Sequence, residues 1–284
     1  MDTVIEAKSL TKRYGRHPAL TGADLSVPAG RVVGLVGPNG SGKSTLLSLV
    51  SGLIEPTSGS IDVLGGQPGV NAAQLARVGF VAQDTPVYAG LSVADHLRLG
   101  AKLNPAWDAE LAERRIRQVG LDPAQKAGRL SGGQRAQLAL TVAAAKRAEL
   151  LIFDEPVAAL DPLARRQFLQ NLLDFVEELA VTVVLSSHLL SDLEQACDYL
   201  IVLSSSRVQL AGEVNALIDV HHRLAGPRGD FDQLPPEVDV IHAEHTVSQS
   251  TLIVRAPRGT SLPAAQRIDL EELVLAYLTR GAQQ

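Results

Sequence analysis

Nine consecutive residues near the start of the chain have the composition of a phosphate-binding loop. They match the pattern G-x-x-x-x-G-K-[ST], whose glycines let backbone N–H groups curl around a β-phosphate. Lys43 adds a positive charge, and the helix expected to begin there adds the positive end of its dipole. The pattern therefore predicts a site for a nucleoside triphosphate. The loop consists of Gly37, Pro38, Asn39, Gly40, Ser41, Gly42, Lys43, Ser44 and Thr45.

A second segment far downstream, Leu130-Ser131-Gly132-Gly133-Gln134, predicts another anion-binding helix end. Ser131 followed three residues later by Gln134 is a capping box at the start of an Ala- and Leu-rich helix. Such a start exposes N–H groups and a positive dipole end, which can bind an anion. A capped helix without a ligand is the alternative that this pattern alone leaves open.

Two carboxylates follow a short apolar run. The run 150–153 is typical of a buried strand, and Asp154 and Glu155 come directly after it. Ligand chemistry in parallel sheets lies at the carboxyl ends of the strands, so both side chains are expected at a site. His188 follows a second apolar run at 181–185 and is expected near the same edge.

Together these segments strongly resemble the ATPase subunits of ABC transporters, also called nucleotide-binding domains. The resemblance covers residues 5 to 212, about three quarters of the chain, and the motifs occur in the family's order. It implies ATP and Mg²⁺ as cofactors. In this family the signature helix points at the γ-phosphate held by another subunit, so one P-loop and one signature per chain imply two nucleotides sandwiched in a dimer.

The resemblance also assigns expected roles. Ser44 coordinates Mg²⁺ directly and Asp154 binds it through water, while Glu155 polarises the attacking water. His188 matches the switch histidine that contacts the γ-phosphate, and Gln83 matches the glutamine that senses phosphate and metal. The predicted catalytic residues are Glu155, His188, Gln83 and Lys43, and the predicted metal site is Ser44, Gln83 and Asp154.

Further nucleotide contacts are implied in the same way. Tyr14 matches the aromatic residue that stacks on adenine, and because stacking accepts any base, ATP over GTP follows from the family alone. Residues 158–161 occupy the D-loop position, where Ala158 stands in place of the usual Ser and puts a contact by that side chain in doubt. The predicted nucleotide-binding set is Tyr14, the nine loop residues, Ser131, Gly132, Gly133, Gln134 and Asp161.

The elements that must position these residues predict an α/β fold. Apolar strands between helices indicate a parallel sheet covered on both faces. The resemblance refines this to an ABC-type P-loop NTPase with a RecA-like parallel core and an N-terminal antiparallel β subdomain. Strands are predicted at 4–9, 23–27, 31–36, 60–64, 78–82, 150–153, 181–185 and 199–203, and helices at 43–53, from Asp161-Pro162, and after a Ser191–Glu194 cap.

A helical subdomain is predicted as an insertion at about 85–148. Ser92 and Asp95 form a capping box for its first helix, and Asn104-Pro105 is expected to begin a second helix that Gly120 ends. The segment 83–91 beside it is where, by the family resemblance, the cytoplasmic helices of a permease should dock.

The ATPase domain is predicted to span 1–218, followed by a small α+β accessory region at 219–284. Strands are expected at 238–246 and 251–255, and a helix at 269–278. The apolar stripe of that helix must be buried, either on the tail's own two strands or against a second subunit or permease. His221 and His222 are expected to be solvated at a helix end, with metal binding the lesser alternative.

Bulk properties limit the possibilities further. The chain has 284 residues, 45% of them hydrophobic, enough for one large α/β domain with subdomains. The net charge of −5 disfavours broad binding to nucleic acid, and a single cysteine excludes an intramolecular disulfide. No apolar run approaches the roughly 18 residues of a membrane span, and the N-terminus lacks a secretory h-region. Membrane contact is therefore expected only through a partner.

The combined prediction is an ATP-hydrolysing subunit that powers an ABC transporter, with export favoured over import. The expected partners are a transmembrane permease and a second ATPase subunit, identical or paired, at the cytoplasmic face of the cell membrane; no direct nucleic-acid partner is expected. The alternative is a soluble ABC ATPase acting as a mechanical switch on ribosomes or DNA. The interval 44–130 is too short for the coiled coil of DNA-repair relatives, and a kinase or GTPase leaves 130–134 unexplained.

Overall fold

The computed structural model describes residues 3–83, 87–231, 233–262 and 264–283. Among these, none of the helices is long and apolar enough to cross a membrane. The strands are β1 (Thr3–Tyr14), β2 (His17–Pro28), β3 (Val32–Val36), β4 (Ser58–Val63), β5 (Val78–Val81), β6 (Leu150–Phe153), β7 (Thr182–Ser187), β8 (Tyr199–Ser204), β9 (Arg207–Glu213), β10 (His221–Pro227), β11 (Asp239–His245), β12 (Gln249–Arg255) and β13 (Ala265–Arg267). The α-helices are α1 (Lys43–Val50), α2 (Ala72–Ala76), α3 (Val93–Leu103), α4 (Ala109–Gln118), α5 (Gly132–Ala145), α6 (Pro162–Leu179), α7 (Leu190–Glu194), α8 (Val214–Val220) and α9 (Leu270–Ala282).

The central sheet has the strand order β5-β6-β7-β3-β8-β9. Its first five strands are parallel and β9 is antiparallel at the edge. β3, β6, β7 and β8 are buried along their whole length, as expected for strands covered by helices on both faces. The carboxyl ends of β6, β7 and β3 are therefore adjacent, and each is followed by a predicted site segment.

A separate three-stranded antiparallel sheet, with the order β2-β1-β4, forms the N-terminal part of the chain. β1 and β2 are longer than predicted. The sequence pattern missed their full length because the pairing of the two strands has register shifts between Ala7 and Lys12. Ser9 there adopts a positive φ of 48°. Such bulges interrupt the alternation of apolar and polar residues on which a sequence prediction depends.

The helical insertion confirms one predicted helix start and corrects another. α3 begins with the Ser92–Asp95 capping box, as predicted. The prediction that Asn104-Pro105 begins the next helix is wrong, because Asn104 ends α3 and its side chain donates to Gly100 O at 2.9 Å. α4 starts after Asp108, whose carboxylate accepts from Leu111 N at 2.8 Å. The proline follows one helix rather than opening another.

The cap predicted from Ser191 and Glu194 is also wrong. α7 begins after Leu189 without a side-chain cap, and Ser191 lies inside the helix. A different serine bonds the backbone just before α7: Ser187 Oγ, at the end of β7, accepts from Leu189 N at 3.0 Å. The turn that carries His188 is therefore stabilised by a side chain of the preceding strand.

The C-terminal tail forms a four-stranded antiparallel sheet, with the order β11-β12-β10-β13. The sequence predicted β11 and β12 but neither β10 nor β13. β10 begins with two histidines and ends with Gly226 and Pro227. Because glycine and proline are typical of turns, the sequence pattern did not predict a strand there. α9 starts at the Asp269–Glu272 capping box, close to the predicted position.

The apolar stripe of α9 lies between the tail sheet and the central sheet. Leu273, Val274 and Tyr277 belong to one buried cluster that includes Val202 of β8 and Ile253 of β12. The expectation that the tail's own strands alone bury this stripe is therefore too narrow. α9 joins the tail to the core within one chain.

The prediction of solvated histidines fails at His221, which is fully buried at the start of β10. Its Nδ1 donates to Leu217 O at 2.6 Å, and its Nε2 accepts from the Tyr277 hydroxyl at 2.9 Å. Both ring nitrogens are therefore in use, which leaves this histidine no position for a metal. His222 is only partly buried.

Candidate functional site

An open cleft of about 740 Å³ lies at the carboxyl ends of β3, β6 and β7. It brings together most of the predicted loop residues, Gln83 and two of the side chains that follow β6 and β7. Segments separated by more than a hundred residues thus meet at one edge of the sheet. The cleft is lined by Ala19, Asn39, Gly40, Gly42, Lys43, Ser44, Thr45, Gln83, Glu155 and His188.

The loop between β3 and α1 depends on glycine at two close approaches. Gly42 has a φ of 106°, and a Cβ there would lie 2.4 Å from Ala19 O. A Cβ on Gly37 would lie 2.3 Å from Leu203 O. Any larger residue would push the loop away from β2 or β8, so these two positions allow the backbone to curl as a phosphate-binding loop requires.

Lys43 points back into this loop. Its Nζ donates to Gly37 O at 2.9 Å and lies 3.4 Å from Glu155 Oε1. Ser41 Oγ is buried and has no hydrogen-bond partner within the described residues. Buried hydroxyls in native proteins nearly always have a partner, so a ligand oxygen or a water is expected beside Ser41. The loop therefore combines a buried cation with an unused donor.

Asp154 and Glu155 leave the end of β6 and are both tied to β7. Asp154 is buried, and its Oδ1 accepts from Ser186 Oγ at 2.7 Å. The same Ser186 Oγ accepts from Glu155 N at 2.8 Å. Glu155 has a φ of 47°, in the left-handed region that residues with a Cβ rarely occupy. At this backbone turn the Asp154 side chain contacts Ser186 of β7, whereas the Glu155 side chain lines the cleft.

His188 follows β7 and meets Glu155 in the cleft. Its Nδ1 lies 3.2 Å from Glu155 Oε2. The histidine side chain is 45% exposed, whereas the glutamate side chain is 11% exposed. One carboxylate thus lies between Lys43 on one side and His188 on the other, a geometry suited to holding and accepting a proton at a water molecule in the cleft.

The signature segment does not reach this cleft within one chain. Ser131 and Gln134 form the predicted capping box at the start of α5. Gly133 packs closely on α6, where a Cβ would lie 3.1 Å from Ala164 Cβ. Ser131, Gly133 and Gln134 line a different cleft of about 460 Å³, whose other walls come from α4 and α6.

Comparisons with known proteins decide the family. The family model described as ABC transporter matches residues 20–158. A methionine import ATP-binding protein of Caulobacter vibrioides is 36% identical over 228 residues, which cover 74% of this chain and 67% of that protein. This chain belongs to the ABC transporter family. A bacitracin transport ATP-binding protein of Bacillus licheniformis is 31% identical over 211 residues, 73% of this chain and 69% of that protein.

Two further matches support the same assignment and cover a similar share of the chain. A sulfate/thiosulfate import ATP-binding protein of Agrobacterium fabrum is 32% identical over 226 residues, and the match spans 76% of this chain but only 65% of that protein. A solved structure of an ATP-binding subunit of an ABC transporter superimposes with a TM-score of 0.68 and 28% identity, covering 76% of this chain and 92% of that one. The predicted family and ABC-type P-loop fold are confirmed.

Two other predicted nucleotide contacts lie outside the cleft. Tyr14 is exposed at the end of β1, with Lys12 Nζ 5.4 Å from its ring centroid. Asp161 caps α6, and its Oδ1 accepts from Leu163 N and Ala164 N at 3.0 Å each. Neither side chain is among the cleft-lining residues. Their roles at the nucleotide stay predictions.

The predicted metal ligands fit Mg²⁺ by their chemistry. Ser44 and Gln83 line the cleft with neutral oxygens. Asp154 is not among the cleft-lining residues, but it supplies a buried carboxylate at the end of β6, next to Glu155. Mg²⁺ prefers oxygen donors and is usually held by one or two carboxylates together with substrate phosphates and waters. Within the described ranges, no group of three or more His, Cys, Asp or Glu could form a cage from protein atoms alone.

Sequence reasoning missed Ser186 and Ala19. Ser186 is fully buried in β7 and contacts both residues of the carboxylate pair. The available signal was a pair of serines interrupting an apolar strand just before His188. Ala19 carries no chemical signal, because it reaches the loop through its backbone carbonyl.

Proposed function

We propose that this chain is the ATP-hydrolysing subunit of a membrane transporter, working as a dimer at the inner face of the membrane beneath a separate permease. The observation that carries this proposal is the separation of its two anion-binding helix starts. The α1 start belongs to the cleft with Lys43, whereas the α5 start at Ser131 belongs to another cleft. A complete nucleotide site then needs the P-loop of one copy and the signature of another.

Within this proposal the cleft residues have distinct roles. Lys43 and the loop N–H groups hold the β- and γ-phosphates. Glu155 accepts a proton from the attacking water, and His188 orients that water and the γ-phosphate. Gln83, at the edge of the helical insertion, contacts the γ-phosphate and links the site to that insertion. Mg²⁺ held by Ser44, Gln83 and Asp154 would neutralise charge on the phosphate oxygens.

The second copy supplies what one chain lacks. The α5 start offers the backbone N–H groups of Gly132 and Gly133 and the hydroxyl of Ser131 to the γ-phosphate across the interface. Closure of the dimer around ATP brings these donors to the nucleotide, and hydrolysis releases them. Asp161, at the cap of α6, is the remaining predicted contact on this face.

The permease docks at an apolar groove beside the helical insertion. A groove of about 280 Å³ lies between β5, α3 and α5, close to the end of β5 that leads to Gln83. Two exposed apolar side chains, Tyr88 and Leu103, lie at this groove. Residues 84–86 of the predicted docking segment 83–91 lie outside the described residues. An exposed apolar patch of this kind is a typical protein-binding surface.

The direction of transport is proposed as export. The support is the overall look of the chain, which most resembles the ATPases of bacterial drug, bacteriocin and ABC-2-type exporters. The relatives include proteins named for sulfate, thiosulfate and methionine import as well as for bacitracin transport, so these names do not decide the direction.

ATP hydrolysis in the presence of candidate partners tests the proposal. The first step is a search of the neighbouring genes for a permease with about six transmembrane helices, which is then reconstituted in vesicles with the purified protein. We expect Tyr88→Ala and Leu103→Ser to lose stimulation by the permease and to keep the basal rate. Leu53→Ser is the matched control, since Leu53 is equally exposed but lies after α1. Stimulation by ribosomes or DNA, and none by permease vesicles, would favour the soluble alternative instead.

A further inference from the structure

Ser186 connects the two strands that carry the reactive residues of the cleft. It lies in β7, pairs in register with Leu35 of β3, and is 0% exposed. Its Oγ is 2.7 Å from Asp154 Oδ1 and 2.8 Å from Glu155 N. One buried hydroxyl thus contacts a side chain and a backbone group of adjacent residues on β6's carboxyl end.

The donor and acceptor chemistry of the three groups fixes the direction of both hydrogen bonds of Ser186. A backbone N–H can only donate, so Ser186 Oγ accepts from Glu155 N. An ionised carboxylate can only accept, so the single hydroxyl proton of Ser186 goes to Asp154 Oδ1. Within the described residues Asp154 Oδ2 accepts no hydrogen bond from the protein, which leaves that oxygen for a ligand.

The hydrogen bond from Glu155 N to Ser186 Oγ stabilises an unfavourable backbone conformation at Glu155. Glu155 has a φ of 47°, which non-glycine residues adopt only when their surroundings stabilise it. The bond from its N–H to Ser186 supports this conformation, in which the carboxylate lies 3.4 Å from Lys43 Nζ and 3.2 Å from His188 Nδ1. Alanine at position 186 would leave the buried carboxylate oxygen and the N–H without this partner.

We propose that Ser186 is a positioning residue for ATP hydrolysis: its hydroxyl orients the Asp154 carboxylate towards the metal site and fixes the backbone from which Glu155 reaches the attacking water. This inference depends on the roles proposed above for Asp154 and Glu155. It adds Ser186 as a residue that acts through both of them and touches neither nucleotide nor metal.

The test compares Ser186→Ala with Ser186→Cys and with Ser204→Ala. Ser186→Cys keeps the side-chain volume but replaces the hydroxyl with a weak donor and acceptor. Ser204 is a buried serine at the end of core strand β8, which β3 separates from β7, and its hydroxyl contacts neither carboxylate. Thermal unfolding and affinity for a non-hydrolysable ATP analogue without metal establish that each variant is folded and binds nucleotide.

We expect Ser186→Ala to lower kcat by roughly tenfold to a hundredfold, the usual range for a partner of a metal-site group. KM for ATP should change little, because the loop around Lys43 still holds the phosphates. Affinity for Mn²⁺ in the analogue-bound protein, measured by electron paramagnetic resonance, should also fall by roughly tenfold. Ser186→Cys should resemble Ser186→Ala in all three measurements, and Ser204→Ala should match the wild type.

Several outcomes would overturn this role. Wild-type kcat and Mn²⁺ affinity in Ser186→Ala would show that the hydroxyl positions nothing, and full recovery in Ser186→Cys would show that volume alone matters. If Ser186→Ala does not fold, Ser186→Cys carries the same test. Wild-type protein that hydrolyses no ATP would instead contradict the proposed function, so the two failures are distinguishable.

Discussion

Lys43 Nζ lies 3.4 Å from Glu155 Oε1, so the cation of the phosphate-binding loop is paired with the carboxylate proposed to activate water. Both side chains are largely buried, and Lys43 also donates to Gly37 O at 2.9 Å. A triphosphate entering the loop competes with Glu155 for this ammonium group. We infer that nucleotide binding releases the carboxylate to face the water and His188, which couples occupancy of the loop to readiness for hydrolysis.

Glu155→Gln should remove most turnover and preserve ATP binding. The amide cannot accept the proton of the attacking water, and loss of a general base typically costs roughly 10²- to 10⁴-fold in rate. Without hydrolysis the ATP-bound dimer should accumulate, and gel filtration with ATP and Mg²⁺ measures it. Glu178→Gln is a matched control, because Glu178 pairs with Arg114 on the outside of α6. ATPase activity near the wild-type rate in Glu155→Gln would exclude this glutamate as the base.

Mixing two inactive variants should restore part of the activity. Lys43→Ala removes the loop cation, and Ser131→Arg blocks the signature helix start. A mixed dimer keeps one complete site, built from the P-loop of the Ser131→Arg chain and the signature of the Lys43→Ala chain. We therefore expect the mixture to hydrolyse ATP at up to half the wild-type rate per dimer formed. Full activity of the wild-type protein at dilutions where it is monomeric would exclude the sandwich arrangement.

The interface between α9 and the core sheet should dominate the contribution of the tail to stability. Leu273 is 0% exposed and Leu275 is 51% exposed on the same helix. Truncating a buried leucine leaves a cavity, so Leu273→Ala should lower the free energy of unfolding by about 2–5 kcal/mol. Leu275→Ala should change it by less than about 0.5 kcal/mol. Chemical denaturation measures both.

Deletion of the residues after Gly226 tests the same interface more severely. Removal of α9 uncovers apolar residues of β8, such as Val202, which share a buried cluster with the helix. We expect the truncated chain to unfold at lower denaturant concentration than Leu273→Ala. Unchanged stability in both proteins would mean that the tail is not joined to the core in solution.

His221 should make the protein less stable in mild acid. Burial lowers the pKa of its imidazole from the ordinary value of 6.5. Above pH 6.5 the ring is neutral in both the folded and the unfolded chain, so its full contribution is present. As the pH falls below 6.5, the unfolded chain binds a proton that the folded chain does not, and stability decreases until the lowered folded-state pKa is reached.

Denaturation curves between about pH 7.5 and pH 5 measure this effect. The free energy of unfolding of His221→Gln should vary less over this range than that of the wild type. Arg255 and Asp239, which also influence the ring, are retained in both proteins. His222→Gln removes a neighbouring imidazole that also lowers this pKa, but it should keep most of the wild-type loss of stability in acid, because burial of His221 is the largest cause. An identical pH dependence in wild type and His221→Gln would contradict the neutral buried state.

Most of the local structure around the site could be predicted from the sequence, because it depends on short-range patterns. The capping boxes at Ser92 and Ser131 form as predicted, since each needs only residues three positions apart. Two other helix starts, predicted from patterns that are just as short, are wrong. Pro105 and Ser191 both had the residue type of a helix start, and neither begins a helix in the fold.

The assembly of the cleft was predicted from the family resemblance, and its detailed geometry required the tertiary structure. Gln83, Glu155 and His188 lie on separate segments that the parallel sheet brings to one edge. Their roles in catalysis stay predictions. The pairing of Lys43 with Glu155 depends on the left-handed turn after β6, and no pattern of residue types indicates a positive φ at a glutamate.

The sequence by itself determined which chemistry this chain can carry, because motifs for phosphate binding and helix capping are encoded within a few neighbouring residues. Only the tertiary structure decided which distant groups share an environment. It buried His221 against Tyr277, inserted α9 between two sheets, and placed Ser186 between Asp154 and Glu155. Each of these contacts joins residues at least thirty positions apart, where the energy of burial and of satisfied hydrogen bonds, rather than local propensity, selects the arrangement.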